Sequence, residues 1–195
     1  MVVSEDLKLL AEKFHKAGKK LYIVGGYVRN ELLEVPHVYN TDIDICSSAT
    51  LEELPKILGK KYKFESKDLL LGTANIVGEQ KYEYSTFREE KYKIDGEHRP
   101  NFTKFVKELK IDAKRRDFTV NCIYYDIYDE KFIDLYGGIK DLENGVLRAI
   151  ETPEFVFKND ALRILRMIRL ACSLGFDIEE KTVLEAQENV YKLKY

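Results

Sequence analysis

Cysteine is scarce, with three in 195 residues. Cys46, Cys122 and Cys172 lie far apart in apolar surroundings. No Cys-x-x-Cys or Cys/His spacing suggests zinc, and an odd count is a poor disulfide framework; buried, reduced thiols are expected. Four prolines and eleven glycines are too few for a low-complexity or collagen-like chain. No run approaches the ~18 apolar residues of a membrane span. The polar start Ser4-Glu5-Asp6 does not look like a signal peptide, so a soluble, cytoplasmic protein without membrane contact is expected. Neither sign of charge dominates: 32 basic residues face 34 acidic ones, a net charge of −2. That balance argues against wholesale phosphate neutralisation and leaves room for local basic patches. What is present is apolar content of 45% and length for one large domain or two small ones. A chain of this size buries about 70% of its unfolded surface and needs no disulfide or structural metal.

Residues 4–17 carry Leu7, Leu10, Ala11 and Phe14 at helical spacing, with Ser4 as N-cap and Gly18 as stop. Leu21–Val24 predicts a buried strand broken by Gly25-Gly26, and a helix with Val28, Leu32 and Leu33 follows. After a loop around Pro36, Thr41 to Cys46 alternates Asp42 and Asp44 with Ile43 and Ile45, the period of a strand. Ala49–Leu58 predicts a helix, 69–77 and 80–87 two strands around Gly78-Glu79, and the charged stretch Glu89–Arg99 a mobile loop. Residues 101–111 fit strand or helix. Val120, Ile123 and Tyr124 suggest a short helix from Asp117. A hairpin around Asp129-Glu130-Lys131, a Gly137-Gly138 turn and a strand Val146–Ile150 follow. Beyond Pro153 the pattern turns helical over 158–174 and 177–194, with no strand signal. The expectation is an α+β unit over 1–150 and an all-helical unit over 151–195.

Asp42 and Asp44, two apart on a strand, project from one face roughly 6–7 Å apart at the backbone. Like charges that close repel unless a cation lies between them, and phosphoryl-transfer enzymes use a divalent metal pair in that place. An exposed acidic strand edge gives the same pattern. Gly25-Gly26 would let backbone N–H groups approach a phosphate at a helix start, or serve a plain strand–turn–helix junction; Arg29 adds a cation one turn on. Glu83, on a predicted strand, is a candidate third carboxylate or a solvated side chain. Lys114-Arg115-Arg116-Asp117 with Asn121 suits a triphosphate and a ribose, or simply caps a helix. Asp160, Arg163, Arg166 and Arg169 lie on a predicted helix. Asp160 and Arg163 could form a surface ion pair. They could equally read a base: cytosine and adenine both offer an amine donor beside a ring-nitrogen acceptor, uracil and guanine the reverse.

Taken together, these residues resemble the N-terminal part of the class II tRNA nucleotidyltransferases (CCA-adding enzymes) and related poly(A) polymerases. The resemblance lies in Val24–Arg29, Thr41–Ile45, Glu83–Arg88, Asp112 with Arg115–Asn121, Asp134–Leu142, and Asp160–Arg166 with Arg169–Ala171 and Leu174–Phe176. It implies a polymerase β-like nucleotidyltransferase head over 1–150, a mixed sheet with flanking helices, and a helical neck over 151–195. It implies that Asp42 and Asp44 bind catalytic Mg²⁺, with Glu83 beside them. Gly25, Gly26 and Arg29 would handle the triphosphate, and Arg116, Asp117 and Asn121 the ribose and phosphates. Asp160 and Arg163, with Arg166 on the same helix, would read CTP or ATP. The segment from Glu83 onward would reshape the pocket between C and A addition. The implied activity adds CMP and AMP to the 3′ end of tRNA. An A-only or C-only adding relative, a poly(A) polymerase or a nucleotide-binding module without activity of its own are the alternatives. Three departures stand out. Asn30 replaces the usual Asp after the motif arginine, and Asn159 replaces the usual Glu before the template Asp. The body and tail domains that grip tRNA are missing, so the rest is expected in a longer protein or a partner chain.

Overall fold

A computed structural model describes residues 1–35, 42–92 and 99–194. The loop expected around Pro36, the first residue of the Thr41–Cys46 strand and the centre of the Glu89–Arg99 stretch lie outside those residues. Helix α1 (Glu5–Lys16) starts where the Ser4 side chain accepts from the Leu7 N–H and buries Leu7, Leu10 and Phe14. Strand β1 (Leu21–Val24) is wholly buried and turns at Gly25 into α2 (Gly26–Leu32). Strand β2 (Ile43–Ser47) begins one residue after Asp42. Helix α3 (Leu54–Leu58) is much shorter than the helix expected over Ala49–Leu58. Pro55 has no N–H to donate, so it sits in the helix's first turn, and Thr50 N–H is met by the Glu53 side chain.

Strands β3 (Lys63–Asp68), β4 (Thr73–Val77) and β5 (Lys81–Thr86) form a meander. β3 was not expected, because as a mostly exposed edge it carries no apolar alternation. Strands β6 (Arg88–Lys91) and β7 (Phe102–Phe105) pair antiparallel, where a mobile loop was expected over the first of them. Their inward residues include Arg88 and Glu90, ion-paired to each other at 2.7 Å, and a charged inward face leaves no hydrophobic signal. Helix α4 (Leu109–Lys114) precedes a single 3₁₀ turn, Thr119–Asn121. The helix expected from Asp117 does not continue: Ile123 and Tyr124 begin strand β8 (Ile123–Asp126). β8 is buried at all four positions between β1 and β9 (Lys131–Asp134), so a continuous apolar run there reads equally as helix or strand.

Helix α5 (Gly138–Asn144), flanked by Gly137 and Gly145 at positive φ, starts within the expected Gly137-Gly138 turn and fills the stretch between it and the next strand. The following strand, β10 (Val146–Leu147), is only two residues long. Helix α6 (Pro153–Asn159) is capped by the Thr152 side chain, and α7 (Leu162–Leu174) follows a break at Asp160. The single helix expected over 158–174 is thus interrupted: the Asp160 carboxylate accepts from Leu162 N–H, a local bond that competes with helix continuation. Strand β11 (Asp177–Ile178) pairs parallel with β10, so the part after 150 contains a strand, and α8 (Glu180–Asn189) and a 3₁₀ turn close the described chain.

Among the described residues, seven strands form one mixed sheet in the order β3-β4-β5-β2-β1-β8-β9, with β2 and β5 parallel. The α+β class expected from the sequence is therefore correct. The core runs from α1 through the sheet to α6, with Phe14, Tyr82, Tyr84, Tyr124 and Phe157 fully enclosed; each such side chain contributes about 1.5–3 kcal/mol. Asp6 fastens α1 to the meander, accepting from Tyr62 and Tyr82 hydroxyls at 2.9 and 3.0 Å and from Glu79 N–H at 3.1 Å. No described helix is long and apolar enough to cross a membrane.

Candidate nucleotide site

β1 and β2 are antiparallel neighbours, which puts the glycine turn ending β1 beside the start of β2. Gly25 has φ +82°, and a Cβ there would lie 3.2 Å from the Asp44 Oδ2. The conformation favours glycine, and a Cβ there would crowd the Asp44 carboxylate. Above this floor opens a cleft of about 560 Å³ whose walls include eight arginines and four carboxylates. It brings together Gly25, Gly26, Arg29, Asp44, Arg116, Asp117, Asn121, Asp160, Arg163 and Arg166. Asp42 and Glu83 do not line it. Asp42 is 65% exposed, 3.7 Å from the Lys81 ammonium, and Glu83 is paired with Lys67 at 2.6 Å. Glu83 nevertheless sits directly across from Asp44 in the parallel β2–β5 register.

The arginines are fixed by partners. Arg29 Nη1 donates to the Asn121 Oδ1 at 2.6 Å, and its Nε and Nη2 donate to the Asn30 Oδ1 at 3.1 and 2.9 Å. Asn30, one of the departures, thus holds Arg29 as a neutral acceptor. Arg115 and Arg116 both reach the buried Asp112, at 2.8 and 3.3 Å, and Arg116 donates to the Tyr124 hydroxyl at 2.7 Å. Burial works to raise the Asp112 carboxyl, but the two arginines beside it win and hold it below the usual carboxylate range. Asp117 behaves alike: burial is outweighed by Arg166 and Arg163, and Arg166 Nε donates to it at 2.7 Å. Two carboxylates therefore organise this wall: Asp112, named in the resemblance without a role, and Glu90, not singled out in the sequence. Glu90 binds Arg88 at 2.7 Å and accepts from the Tyr92 hydroxyl at 2.5 Å, with its carboxyl also below the ordinary value because Arg115 and Arg88 outweigh burial. The signal that could have found them is the density of arginine around Asp112.

Asp44 goes the other way. Enclosure by the surrounding protein raises its carboxyl, Glu83 and Asp42 add to the rise, and Arg116 and Arg166 only partly oppose it. Its side chain keeps access to solvent through the cleft, so the enclosure is one-sided. At the far side, Arg163 is 7% exposed. Its Nη2 donates to the Arg115 carbonyl at 2.7 Å, and its Nε lies 3.9 Å from the Asp160 Oδ2. Arg163 Nη1 is buried without a hydrogen-bond partner among the described residues, an arrangement that is costly unless a ligand supplies the acceptor.

Among the described residues no three His, Cys, Asp or Glu side chains gather into a ready metal cage. The donor chemistry around Asp44 still fits a hard divalent cation: carboxylate oxygens only, the space over Asp44 kept open by Gly25, and acidic neighbours raising its carboxyl. Mg²⁺ is commonly held by one or two carboxylates with substrate phosphates completing its shell.

A mixed sheet that presents a glycine turn and an acidic strand to an arginine-walled cleft defines a nucleotidyltransferase head. The family model described as the Poly A polymerase head domain matches residues 21–148, and the chain belongs to that family. It is 39% identical over 179 residues to a CCA-adding enzyme of Lactobacillus helveticus, covering 91% of this chain and 43% of that protein. A Streptococcus thermophilus CCA-adding enzyme is 42% identical over 174 residues, covering 89% and 41%. Among solved structures, the Bacillus stearothermophilus CCA-adding enzyme in complex with CTP superimposes with a TM-score of 0.80 at 30% identity, over 95% of this chain and 43% of that one. The Thermotoga maritima CCA-adding enzyme complexed with tRNA gives 0.74 at 27% identity, over 95% and 41%. The chain spans less than half the length of each of these relatives.

Proposed function

We propose that this chain is the catalytic head (1–150) and neck (151–195) of an enzyme that transfers CMP and AMP from CTP and ATP to the 3′ end of tRNA. The observation that carries the reading is the unpartnered Arg163 Nη1, beside Asp160, in the cleft that also holds Asp44 and the glycine turn. A base with a ring-nitrogen acceptor and an amine donor, as in cytosine and adenine, satisfies both side chains; uracil and guanine present the opposite pattern. The CTP-bound and tRNA-bound relatives support the same substrates.

In this mechanism the backbone N–H groups of Gly25 and Gly26 and the Arg29 guanidinium hold the triphosphate, while Arg116 and Asn121 contact ribose and phosphates. Asp117 acts mainly by fixing Arg166, its partner at 2.6 Å. Asp44, with Asp42 and Glu83 close by, would hold Mg²⁺, which supplies activation of the attacking oxygen and charge neutralisation on the phosphates. The terminal 3′-oxygen of the RNA attacks the α-phosphorus; a new P–O ester bond forms and pyrophosphate leaves with the electrons of the broken α–β bond.

The test is extension of radiolabelled tRNA lacking its 3′ CCA with each nucleotide alone and in pairs. Addition of C, C and A in that order supports the reading. Adenosine runs point to poly(A) synthesis, and single-base addition to a C-only or A-only enzyme. A folded chain that binds none of the nucleotides contradicts it.

A further inference from the structure

Arg116 lines the nucleotide cleft together with Asp44, and of the cations around Asp44 it opposes the rise of that carboxyl most strongly. An arginine binds a phosphate well when its planar fork is held at a fixed angle, so what holds Arg116 matters to the site. Asp112 does only part of this. Its Oδ1 accepts from Arg88 N–H at 3.2 Å and from Arg115 Nε at 2.8 Å. Its Oδ2 is shared between Arg116 Nη2 at 3.3 Å and the Tyr124 hydroxyl at 3.2 Å. A charge-assisted bond is ordinarily about 2.7–2.9 Å long, so the carboxylate, divided among these donors, holds Arg116 loosely. The shorter bond is to Tyr124, whose hydroxyl accepts from Arg116 Nε at 2.7 Å; the guanidinium carbon lies 5.0 Å from the ring centroid.

Tyr124 is a firm anchor. It is fully buried, does not line the cleft, and lies in the β1–β8 register opposite Val24, the residue just before the glycine turn. The Tyr22 ring meets it edge-on, with centroids 6.1 Å apart. Burial raises the phenol well above its ordinary range, so the hydroxyl stays neutral and can donate to Asp112 while it accepts from Arg116. These bonds occupy one edge of the arginine fork, Nε and Nη2, and leave Nη1 to a ligand. The sequence hides this role, because Tyr124 sits in the unbroken apolar run Cys122–Tyr125.

We propose that Tyr124 is a positioning residue for nucleotidyl transfer: through Arg116 it fixes where the phosphates of CTP and ATP bind, whichever base they carry. The proposal rests on the nucleotidyl-transfer reading above and adds to it a residue that acts from behind the cleft wall.

The experiment titrates the wild-type chain, Tyr124→Phe, Arg116→Ala and the double variant with CTP and with ATP in Mg²⁺ by calorimetry. Tyr124→Phe keeps the ring and its packing and removes only the hydroxyl. Loss of one hydrogen bond to a charged group predicts about tenfold weaker binding, equal for CTP and ATP. On the Arg116→Ala background the same change should cost less than about twofold, because the hydroxyl then has no guanidinium to hold. A merely structural tyrosine would weaken both backgrounds alike. The Arg116 Nε–H signal in ¹⁵N spectra reads the bond directly: it should exchange slowly with solvent in the wild-type chain and fast in Tyr124→Phe. Melting temperature reports folding, and the wild-type signal decides the matter if Tyr124→Phe does not fold. Affinities unchanged in Tyr124→Phe, equal losses on both backgrounds, losses confined to one nucleotide, or an Arg116 Nε–H that exchanges freely in the wild-type chain each overturn the proposal. A wild-type chain that binds neither CTP nor ATP overturns the transfer reading itself, and this inference with it.

Discussion

Asp44 and Asp117 line the same cleft, yet their surroundings push their carboxyls in opposite directions. At Asp117 two arginines outweigh burial and the carboxyl falls below its usual range. At Asp44 enclosure and two acidic neighbours outweigh the arginines and it rises. One wall is thus braced internally, arginine against buried carboxylate, before any ligand arrives. The other holds an unrelieved negative charge beside an open glycine turn. Charge left unrelieved in a native site destabilises the empty protein and is recovered on binding; paired charge positions side chains. On the proposed function, the contrast separates a wall suited to chemistry from one suited to orienting substrate.

Substitutions on the two walls should therefore fail differently. The largest effect belongs to Asp44→Asn, which should lower nucleotide transfer by about 10³-fold or more in the tRNA extension assay. Because the native carboxyl is raised, ionisation disfavours the folded state, and the neutral amide should raise the urea midpoint at pH 7. A gain in stability with loss of transfer sharpens the comparison, and a loss of both breaks it. Next, Asp112→Ala leaves Arg115 and Arg116 buried without their carboxylate and should cost about 3 kcal/mol in urea unfolding. An effect within experimental error would mean that the arginine wall is not braced by this residue.

Gly25→Ala imposes a side chain at φ +82°, with its Cβ 3.2 Å from Asp44. A cost of about 1–2 kcal/mol is expected, together with weaker triphosphate binding in a CTP titration. The smallest effect is on pH dependence. Asp112, Asp117 and Glu90 carry depressed native pKa values. Their stabilisation is complete above the unfolded carboxylate values near pH 4 and is lost as pH falls through the native ones. Asp44 has the opposite sign, so the advantage of Asp44→Asn over wild type should shrink as the solution is acidified below neutrality. Urea midpoints of the two proteins from pH 3 to pH 8 check both statements.

The sequence made the acidic-strand wall easy to see and the braced wall hard. Gly25-Gly26, Asp44 and Arg29 declare themselves because each lies within a short, regular element whose period or break is local. Asp160 and Arg163 were visible as a pair, but the helix break that sets Asp160 apart was not, since it depends on a side-chain bond to Leu162 N–H. β6 escaped because its inward residues are Arg88 and Glu90, which pair with each other and with groups distant in sequence, Arg115 at 3.6 Å from Glu90 and the Asp112 carboxylate that accepts from Arg88 N–H. β8 was mistaken for helix because burial on both faces erases the alternation. In each case the missing information was tertiary: which partner would neutralise a charge or cover a second face. The departure at Asn30 resolves in the same way, as a neutral acceptor for Arg29.

The central claim is that the arginine wall reads a base through Asp160 and Arg163. Its most direct test is a titration of the chain with CTP, ATP, UTP and GTP in Mg²⁺, followed by heteronuclear NMR. The account predicts preferential binding of CTP and ATP, with the largest shifts at Asp160 and Arg163 and loss of the preference in Arg163→Ala. Equal binding of all four nucleotides by the folded chain, or shifts that leave α7 untouched, would contradict it.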